Sequence, residues 1–305
     1  MSHEDNNSSV AEIDKLLAKL RCTACGEIVF VQESMEGVSD DAVEFKCKKC
    51  GRRIYLSNGV LDCLPDGDRQ KRVWESYYSS SDQSALISAL ENGLEKPNLL
   101  HAHYSILRLL EHLSLPLSSS IELGSGSGAF SLILKRLGIV EHVTLLDYSE
   151  KALLTAKKLF DHFGESCTLV KASIDSMPFR DNAFELSLSA GVIEHYPTPQ
   201  ERMNCFLVHT AVARKAFVQA PVSSPCYWMS RTIYTAINRG WPFGFERPVT
   251  MREMRSFARE TRVRIIGCDH QYFLSWPLFT RLHWLVRPGW YTWPFQNEIS
   301  ILVSK

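Results

Sequence analysis

Apolar positions along the chain fall into two textures. Ile13, Leu16, Leu17 and Leu20 follow the spacing of an amphipathic helix, which predicts a short helix running into the first cysteines. From Trp74 to Leu113 the spacing stays helical, and Pro97 divides it into at least two helices. From Ser120 onward the texture changes to short apolar runs separated by helical stretches: IELG, VTLLD, CTLVKA, FELSLSA, KAFVQA, RVRIIGC and ISILVS. That alternation predicts βαβ units and a largely parallel α/β sheet. The segment between the last two runs is dense in Trp, Phe and Pro and too broken for a crossover helix. It predicts two antiparallel edge strands joined by an aromatic flap at 271–296. Thr250-Met251-Arg252-Glu253 has the form of a capping box, opening a helix that buries Met254, Phe257 and Ala258.

Composition adds little until charge is followed along the chain. The 305 residues carry 34 Lys and Arg against 34 Asp and Glu, yet from Arg202 to the end 14 basic residues face 5 acidic ones. The last third is therefore a candidate surface for something anionic, or simply a solvated basic face. The first residues, MSHEDNNSSV, are polar, and no apolar run is long enough to span a bilayer. A soluble cytoplasmic protein is expected.

Four of the nine cysteines form two C-x-x-C pairs, Cys22 with Cys25 and Cys47 with Cys50. Each pair makes a knuckle aiming two thiolates at one point, and two knuckles close a tetrahedral Zn²⁺ site. Gly26 and Gly51 follow the second cysteine of each pair, where the backbone must turn. A redox or iron site is the alternative. Four thiolates leave no open position for water, so the metal is structural. The ribbon either folds a module too small to hold itself or recruits a substrate or partner. Cys63 is expected in the core.

The stretch IELGSGSGAF, Ile121–Phe130, carries an acid and then three glycines at alternate positions. Gly124, Gly126 and Ala129 fit the dinucleotide fingerprint, with Asp147 as the following acid. Glu122 decides against it. A dinucleotide lays a pyrophosphate over the turn, where Glu122 would repel it. S-adenosylmethionine has no phosphate and carries an ammonium and a sulfonium, so a carboxylate there attracts it.

With ELGSGSG, LLDYS, SMPFRDNAFEL and SAGVIEH in that order, residues 118–220 resemble the class I S-adenosylmethionine-dependent methyltransferases, especially their small-molecule branch. The resemblance implies a Rossmann-like seven-stranded sheet with an antiparallel last strand, preceded here by the zinc ribbon. It implies that Glu122, Gly124, Ser125, Gly126 and Gly128 hold the methionine moiety and Asp147 the ribose. Tyr148 packs on adenine, and Ser173 with Ile174 reaches its edge. Where the family often has Asp, this chain has Ser173, so the adenine amine falls to that hydroxyl or to Asp175. Ala190 ends the fourth strand where the methyl is handed over. The sequence CKKCGRRIYLSNGVLDCLP is similar to the ribbons of small methyltransferase-activator subunits.

Domains are expected at 1–20 (tail and short helix), 21–65 (ribbon), 66–116 (connector and helices) and 117–305 (cofactor core with a lid insertion at 222–250). Glu194 and His195 are candidates for general base, as shapers of the cleft otherwise, and His270 and His283 flank the flap. Arg239 and Arg247, in an aromatic- and glycine-rich loop, are candidates for gripping an anionic acceptor. The leading expectation is a methyltransferase of small or lipid-linked, anionic acceptors. The alternatives are an RNA methyltransferase docking through its ribbon, which the ribbon's even charge balance disfavours, and a non-catalytic scaffold or partner protein that binds the cofactor.

Overall fold

A computed structural model describes residues 15–27, 30–33, 42–64, 78, 83–95, 104–238, 240–241, 243–272 and 296–305. The interior of the expected flap, His283 and Arg239 lie outside the described residues.

All seven apolar runs are strands. In chain order the elements are β1 (Phe30–Glu33), β2 (Ala42–Cys47), β3 (Arg53–Ser57), β4 (Val60–Asp62), α1 (Gln83–Glu95), α2 (Tyr104–Leu110), β5 (Leu117–Leu123), α3 (Ala129–Arg136), β6 (Val140–Asp147), α4 (Glu150–His162), β7 (Thr168–Lys171), β8 (Phe184–Ala190), α5 (Pro199–Val212), β9 (Ala213–Pro221), α6 (Pro225–Asn238), α7 (Met251–Glu260), β10 (Arg264–Tyr272) and β11 (Gln296–Ser304). The core strands run in the order β7-β6-β5-β8-β9-β11-β10. β11 is antiparallel to both neighbours, β9 and β10. One expectation is corrected here: β11 is not an edge strand but inserts between β9 and β10. Its Ile299, Ile301 and Val303 are buried, which an interior place satisfies and an edge would not.

Strand alternation sends side chains to two separate cores. On one face Ile121, Leu123, Leu146 and Val218 pack against Met203 and Phe206 of α5 and Met254 and Phe257 of α7. On the other, Leu145, Leu186, Leu188 and Phe217 pack against α2, α3 and α4. Thr198 caps α5 with a full box: its hydroxyl accepts from Glu201 N at 3.2 Å and Glu201 Oε2 accepts from Thr198 N at 2.9 Å. At α7 the Thr250 hydroxyl accepts from Glu253 N, as expected. The Glu253 carboxylate, however, accepts from Nε of the fully buried Arg202 at 2.8 Å. Arg202 also donates to the Tyr196 carbonyl at 2.9 Å, so this ion pair ties the turn after β8 to α7.

The ribbon is not a separate bead. β4 pairs in parallel with β7, Val60 beside Leu169 and Leu61 beside Val170, and the sheet grows to eleven strands. Lys171 bridges Asp62 and Glu150, each at 3.0 Å. Leu20 pairs with Phe179, and Arg21 N donates to the Pro178 carbonyl at 2.7 Å. Leu20, Phe45, Ile54 and Leu61 share one core with Ile174, Met177 and Phe179. The basic excess of the last third resolves outward: Arg252, Arg255, Arg259, Arg262 and Arg264 are all exposed on α7 and its exit.

Leu61→Ala, at a fully buried position shared by ribbon and core, is expected to destabilise the whole chain by about 2–5 kcal/mol. Urea unfolding followed by far-ultraviolet and aromatic signals should show one coincident transition moved to lower urea, not loss of the ribbon alone.

Candidate active site

The carboxyl ends of the parallel strands open on a cavity of about 600 Å³. Open α/β sheets place ligands at that edge. Residues from β5, β6, β8 and the 222–250 insertion line it, including Glu122, Asp147, Ala190, Glu194, Tyr227 and Glu246.

The glycine turn is built from its own hydrogen bonds. Gly124 and Ser125 both donate to the Leu146 carbonyl, at 2.8 and 3.0 Å, and Gly128 donates to the Ser125 carbonyl at 2.8 Å. Gly126 N donates to Asp147 Oδ2 at 2.9 Å, while Asp147 Oδ1 accepts from Ser149 N at 2.9 Å. The Asp147 carboxylate thus locks the turn to the end of β6. Four amides of the turn, those of Gly124, Ser125, Gly126 and Gly128, are engaged within the fold.

Glu122 completes this. Only 4% exposed, its Oε2 accepts from Ser131 N at 3.2 Å in the first turn of α3. A carboxylate therefore occupies the place where a helix N-terminus otherwise receives an anion. Burial is the main reason its acid constant is pushed up to about 7, with the Asp147 charge adding and the Ser131 hydrogen bonds opposing.

Of the expected cofactor residues, Glu122, Gly124, Ser125, Gly126, Asp147, Tyr148, Ser173, Ile174, Asp175 and Ala190 all line the cavity. Gly128 does not. A Cβ there would meet Leu145 Cδ1 at 2.7 Å and Phe160 at 3.2 Å, so this glycine lets α3 and α4 close on β6. The Ser173 hydroxyl accepts from Asp175 N at 3.3 Å, capping a short 3₁₀ turn at Ile174–Ser176. The Asp175 carboxylate is engaged by the Tyr196 hydroxyl, whose acid constant is raised, mainly by burial.

Glu194 and His195 also line the cavity. Glu194 is 2% exposed, and its Oε2 finds no hydrogen-bond partner among the described residues. Burial, reinforced by the charges of Glu246 and Glu298, holds its acid constant well above the usual carboxylate range. His195 Nδ1 lies 2.7 Å from the Phe245 carbonyl, which only accepts, so Nδ1 carries the proton. Its Nε2 is 4.0 Å from Glu194 Oε1. Arg247 stands apart: its side chain is exposed and outside the cavity lining, and its backbone N–H holds the Glu194 carbonyl at 2.8 Å. His270 is half-buried on β10 and also outside the lining.

Sequence reasoning missed Tyr78, Tyr227, Trp241, Glu246 and Glu298, all cavity-lining. The Tyr78 hydroxyl sits 2.1 Å from where a Cβ on Gly126 would be, which makes the second glycine obligatory. Trp241 and Glu246 lay in the loop singled out as a lid, but Glu298 had no local signal.

The four cysteines fit a metal. Cys22 and Cys50 sulfurs are 3.5 Å apart, Cys25 and Cys47 sulfurs 3.6 Å, and all four lie within 4.8 Å of one another. Thiolates about 2.3 Å from one tetrahedral ion would stand roughly 3.8 Å apart. Gly26 N donates to the Cys22 carbonyl at 2.8 Å and Gly51 N to the Cys47 carbonyl at 3.0 Å, both glycines having positive φ, so the two knuckles match.

Comparison with known proteins agrees with the resemblance read from the motifs. Residues 121–206 match the family described as "Methyltransferase domain". The chain is 29% identical over 119 residues to the Arabidopsis thaliana protein named 2-methyl-6-phytyl-1,4-hydroquinone methyltransferase, chloroplastic, covering 39% of this chain and 34% of that one. It is 31% identical over 112 residues to a like-named Oryza sativa subsp. japonica protein, covering 36% and 31%. The chain spans about a third of the length of these curated relatives. Among solved structures it is similar to a chain in the complex between the Haloferax volcanii Trm112 methyltransferase activator and a candidate methyltransferase. The TM-score is 0.51 at 14% identity, over 76% of this chain and 96% of that one, a likeness of fold.

Raised carboxyls leave a signature in stability. Glu122 and Glu298, both pushed up to about 7 chiefly by burial, bind protons more tightly folded than unfolded. Their contribution is present below the ordinary carboxyl range and lost as pH rises through about 7. The melting temperature of the ligand-free protein is expected to fall between pH 5 and 7.5, and Glu122→Gln to flatten that fall. Gly128→Ala should cost about 1–3 kcal/mol by overpacking, read from urea midpoints.

Proposed function

We propose that the chain binds S-adenosylmethionine and transfers its methyl group to a small-molecule acceptor. The observation that carries this is the state of the glycine turn: the amides of Gly124, Ser125, Gly126 and Gly128 are internally bonded, and the Glu122 carboxylate takes the Ser131 N–H at the start of α3, where a phosphate would have to lie. Among the described lining residues six are Asp or Glu and none is Lys or Arg. Such a cavity repels a dinucleotide and attracts a ligand carrying a sulfonium and an ammonium. Glu122, Gly124, Ser125 and Gly126 take the methionine end, Asp147 the ribose, and Tyr148 with the Ser173–Asp175 turn the adenine. Ser125, whose buried hydroxyl has no partner among the described residues, is ready for a ligand polar group.

Methyl transfer needs positioning more than activation, because the sulfonium is already a good leaving group. Glu194, with His195 beside it, supplies a base where the acceptor must lose a proton. The relatives' names point to prenylated hydroquinones. The exposed stripe Met229, Ile233 and Ile237 on α6, which also lines the cavity through Tyr227 and Ser230, supports an acceptor with an apolar body or a lipid link. The acidic lining speaks against RNA, whose phosphates it would repel. Among the described residues no helix is long and apolar enough to cross a membrane.

The cysteine cluster is proposed to hold one structural Zn²⁺ that stiffens the ribbon. Because β4 and Leu20 pack on β7 and Phe179, the ribbon buttresses the turn assigned to adenine.

Titration calorimetry is expected to detect binding of S-adenosylmethionine but not of NAD. Asp147→Ala, which frees the turn from β6, should weaken that binding about tenfold or more. Affinity should rise between pH 6 and 8 as Glu122 ionises; a flat profile would remove Glu122 from the methionine site. Elemental analysis should find one zinc per chain, and its removal by a chelator should weaken cofactor binding as well as lower the melting temperature.

A further inference from the structure

Three carboxylates converge on the cavity from separate elements. Glu194 comes from the turn after β8, Glu246 from the loop before α7, and Glu298 from β11. Two of them lie beyond residue 206, where the family match ends, so their chemistry belongs to this chain. Gln219 donates to Glu298 Oε2 at 2.5 Å, and the Trp241 indole N–H donates to Glu246 Oε2 at 2.6 Å. Glu194 Oε1 lies 3.4 Å from where a Cβ on Gly191 would stand, beside the end of β8. Its other oxygen is buried and has no partner among the described residues. The aromatic walls are Tyr227, Trp241 and Phe243, with Trp241 and Phe243 rings edge to face at 5.3 Å.

Positive charge nearby is directed elsewhere. Arg231 stacks on Trp241 at 5.1 Å and donates to the Tyr227 hydroxyl and the Glu246 carbonyl, at 3.1 and 2.9 Å, without lining the cavity. Arg247 is exposed, and the His195 Nδ1 proton is held by a carbonyl. Nor are the three carboxylates grouped tightly enough for a metal, since the cysteine cluster is the only ligand set of that kind among the described residues. Carboxylates and aromatic faces, with no Lys or Arg among the described lining residues, form a receptor for an organic cation.

We propose that the acceptor is an organic amine, bound as an ammonium among Glu194, Glu246 and Glu298 and methylated on nitrogen. This rests on the chain being a methyltransferase. One N–H proton passes to the Glu194 carboxylate. The freed nitrogen lone pair forms the new N–C bond as the methyl–sulfur bond breaks. The electron pair of that bond stays on sulfur, which becomes a neutral thioether, and the product leaves as a methylated ammonium. Glu194 then returns its proton to solvent. A carboxyl whose proton affinity is raised by burial is suited to that exchange.

The test titrates the protein, loaded with S-adenosylhomocysteine, with phenethylamine, phenethyl alcohol and phenylacetate, and with a series of aliphatic amines and matched acids. Turnover of S-adenosylmethionine is followed with the same compounds. Amines are expected to bind and to be methylated while alcohols and acids do neither. Glu246→Gln and Glu298→Gln should each weaken amine binding about thirtyfold or more and lower S-adenosylmethionine affinity far less. Acids binding as well as amines, or no amine binding at millimolar concentration while the cofactor binds normally, would overturn the proposal. So would glutamine variants that lose cofactor and amine together, because the carboxylates would then belong to the cofactor. The comparison of amine with acid needs no variant, so a misfolded substitution cannot mask the answer. Failure of the unaltered protein to bind S-adenosylmethionine would instead defeat the methyltransferase reading.

Discussion

Burying a carboxylate away from any cation costs several kcal/mol of desolvation, and the group usually takes up a proton instead. The cavity at the head of this sheet does it with the buried Glu122 and Glu194 and, in part, with the half-buried Glu298, all three held above the ordinary carboxyl range. A fold that only needed to pack would fill these positions with apolar groups. Keeping them makes sense if a cation arrives and returns the carboxylates to their ionised form. Both halves of the cavity, the glycine turn and the aromatic insertion, thus carry acidic groups of the same sign, with no Lys or Arg among the described lining residues.

The cavity holds its shape through a few buried polar ties. Asp147 joins the glycine turn to β6, and Arg202 joins the turn bearing Glu194 to α7 through Glu253. Each tie uses a charge that is paired or hydrogen-bonded, Asp147 by two backbone N–H groups and Arg202 by Glu253 and the Tyr196 carbonyl, the condition under which a buried ion is tolerated. The ribbon adds a third tie from outside. Its strand β4 covers the edge of β7 that would otherwise be exposed, and its apolar residues complete the core beneath the Ser173–Asp175 turn. In this way the cysteine ribbon becomes part of the main sheet rather than an appendage.

Much of this was legible in the chain. Seven apolar runs gave seven strands, because fully buried parallel strands need continuous apolar sequence. The C-x-x-C pairs and their glycines gave the cysteine cluster, and the acid with three glycines gave the turn, since both are short-range geometries written in adjacent residues. The capping signal at Thr250 was read, whereas the fuller one at Thr198 was passed over. The place of β11 was not legible. Whether a last strand lies at an edge or inside depends on a neighbour more than seventy positions away, which no local pattern encodes.

Sequence alone therefore determined the elements, the metal knuckles and the sign of charge at the glycine turn, all set by neighbours within a few residues. Tertiary structure decided which distant groups share the cavity: Glu194, legible as a candidate base, meets Glu246 and Glu298 only when the sheet and the insertion close around them. It also left the Arg247 side chain exposed and outside the cavity lining, away from the acceptor it had been expected to grip. Charge acts through space, so its meaning emerges only after folding has set the distances.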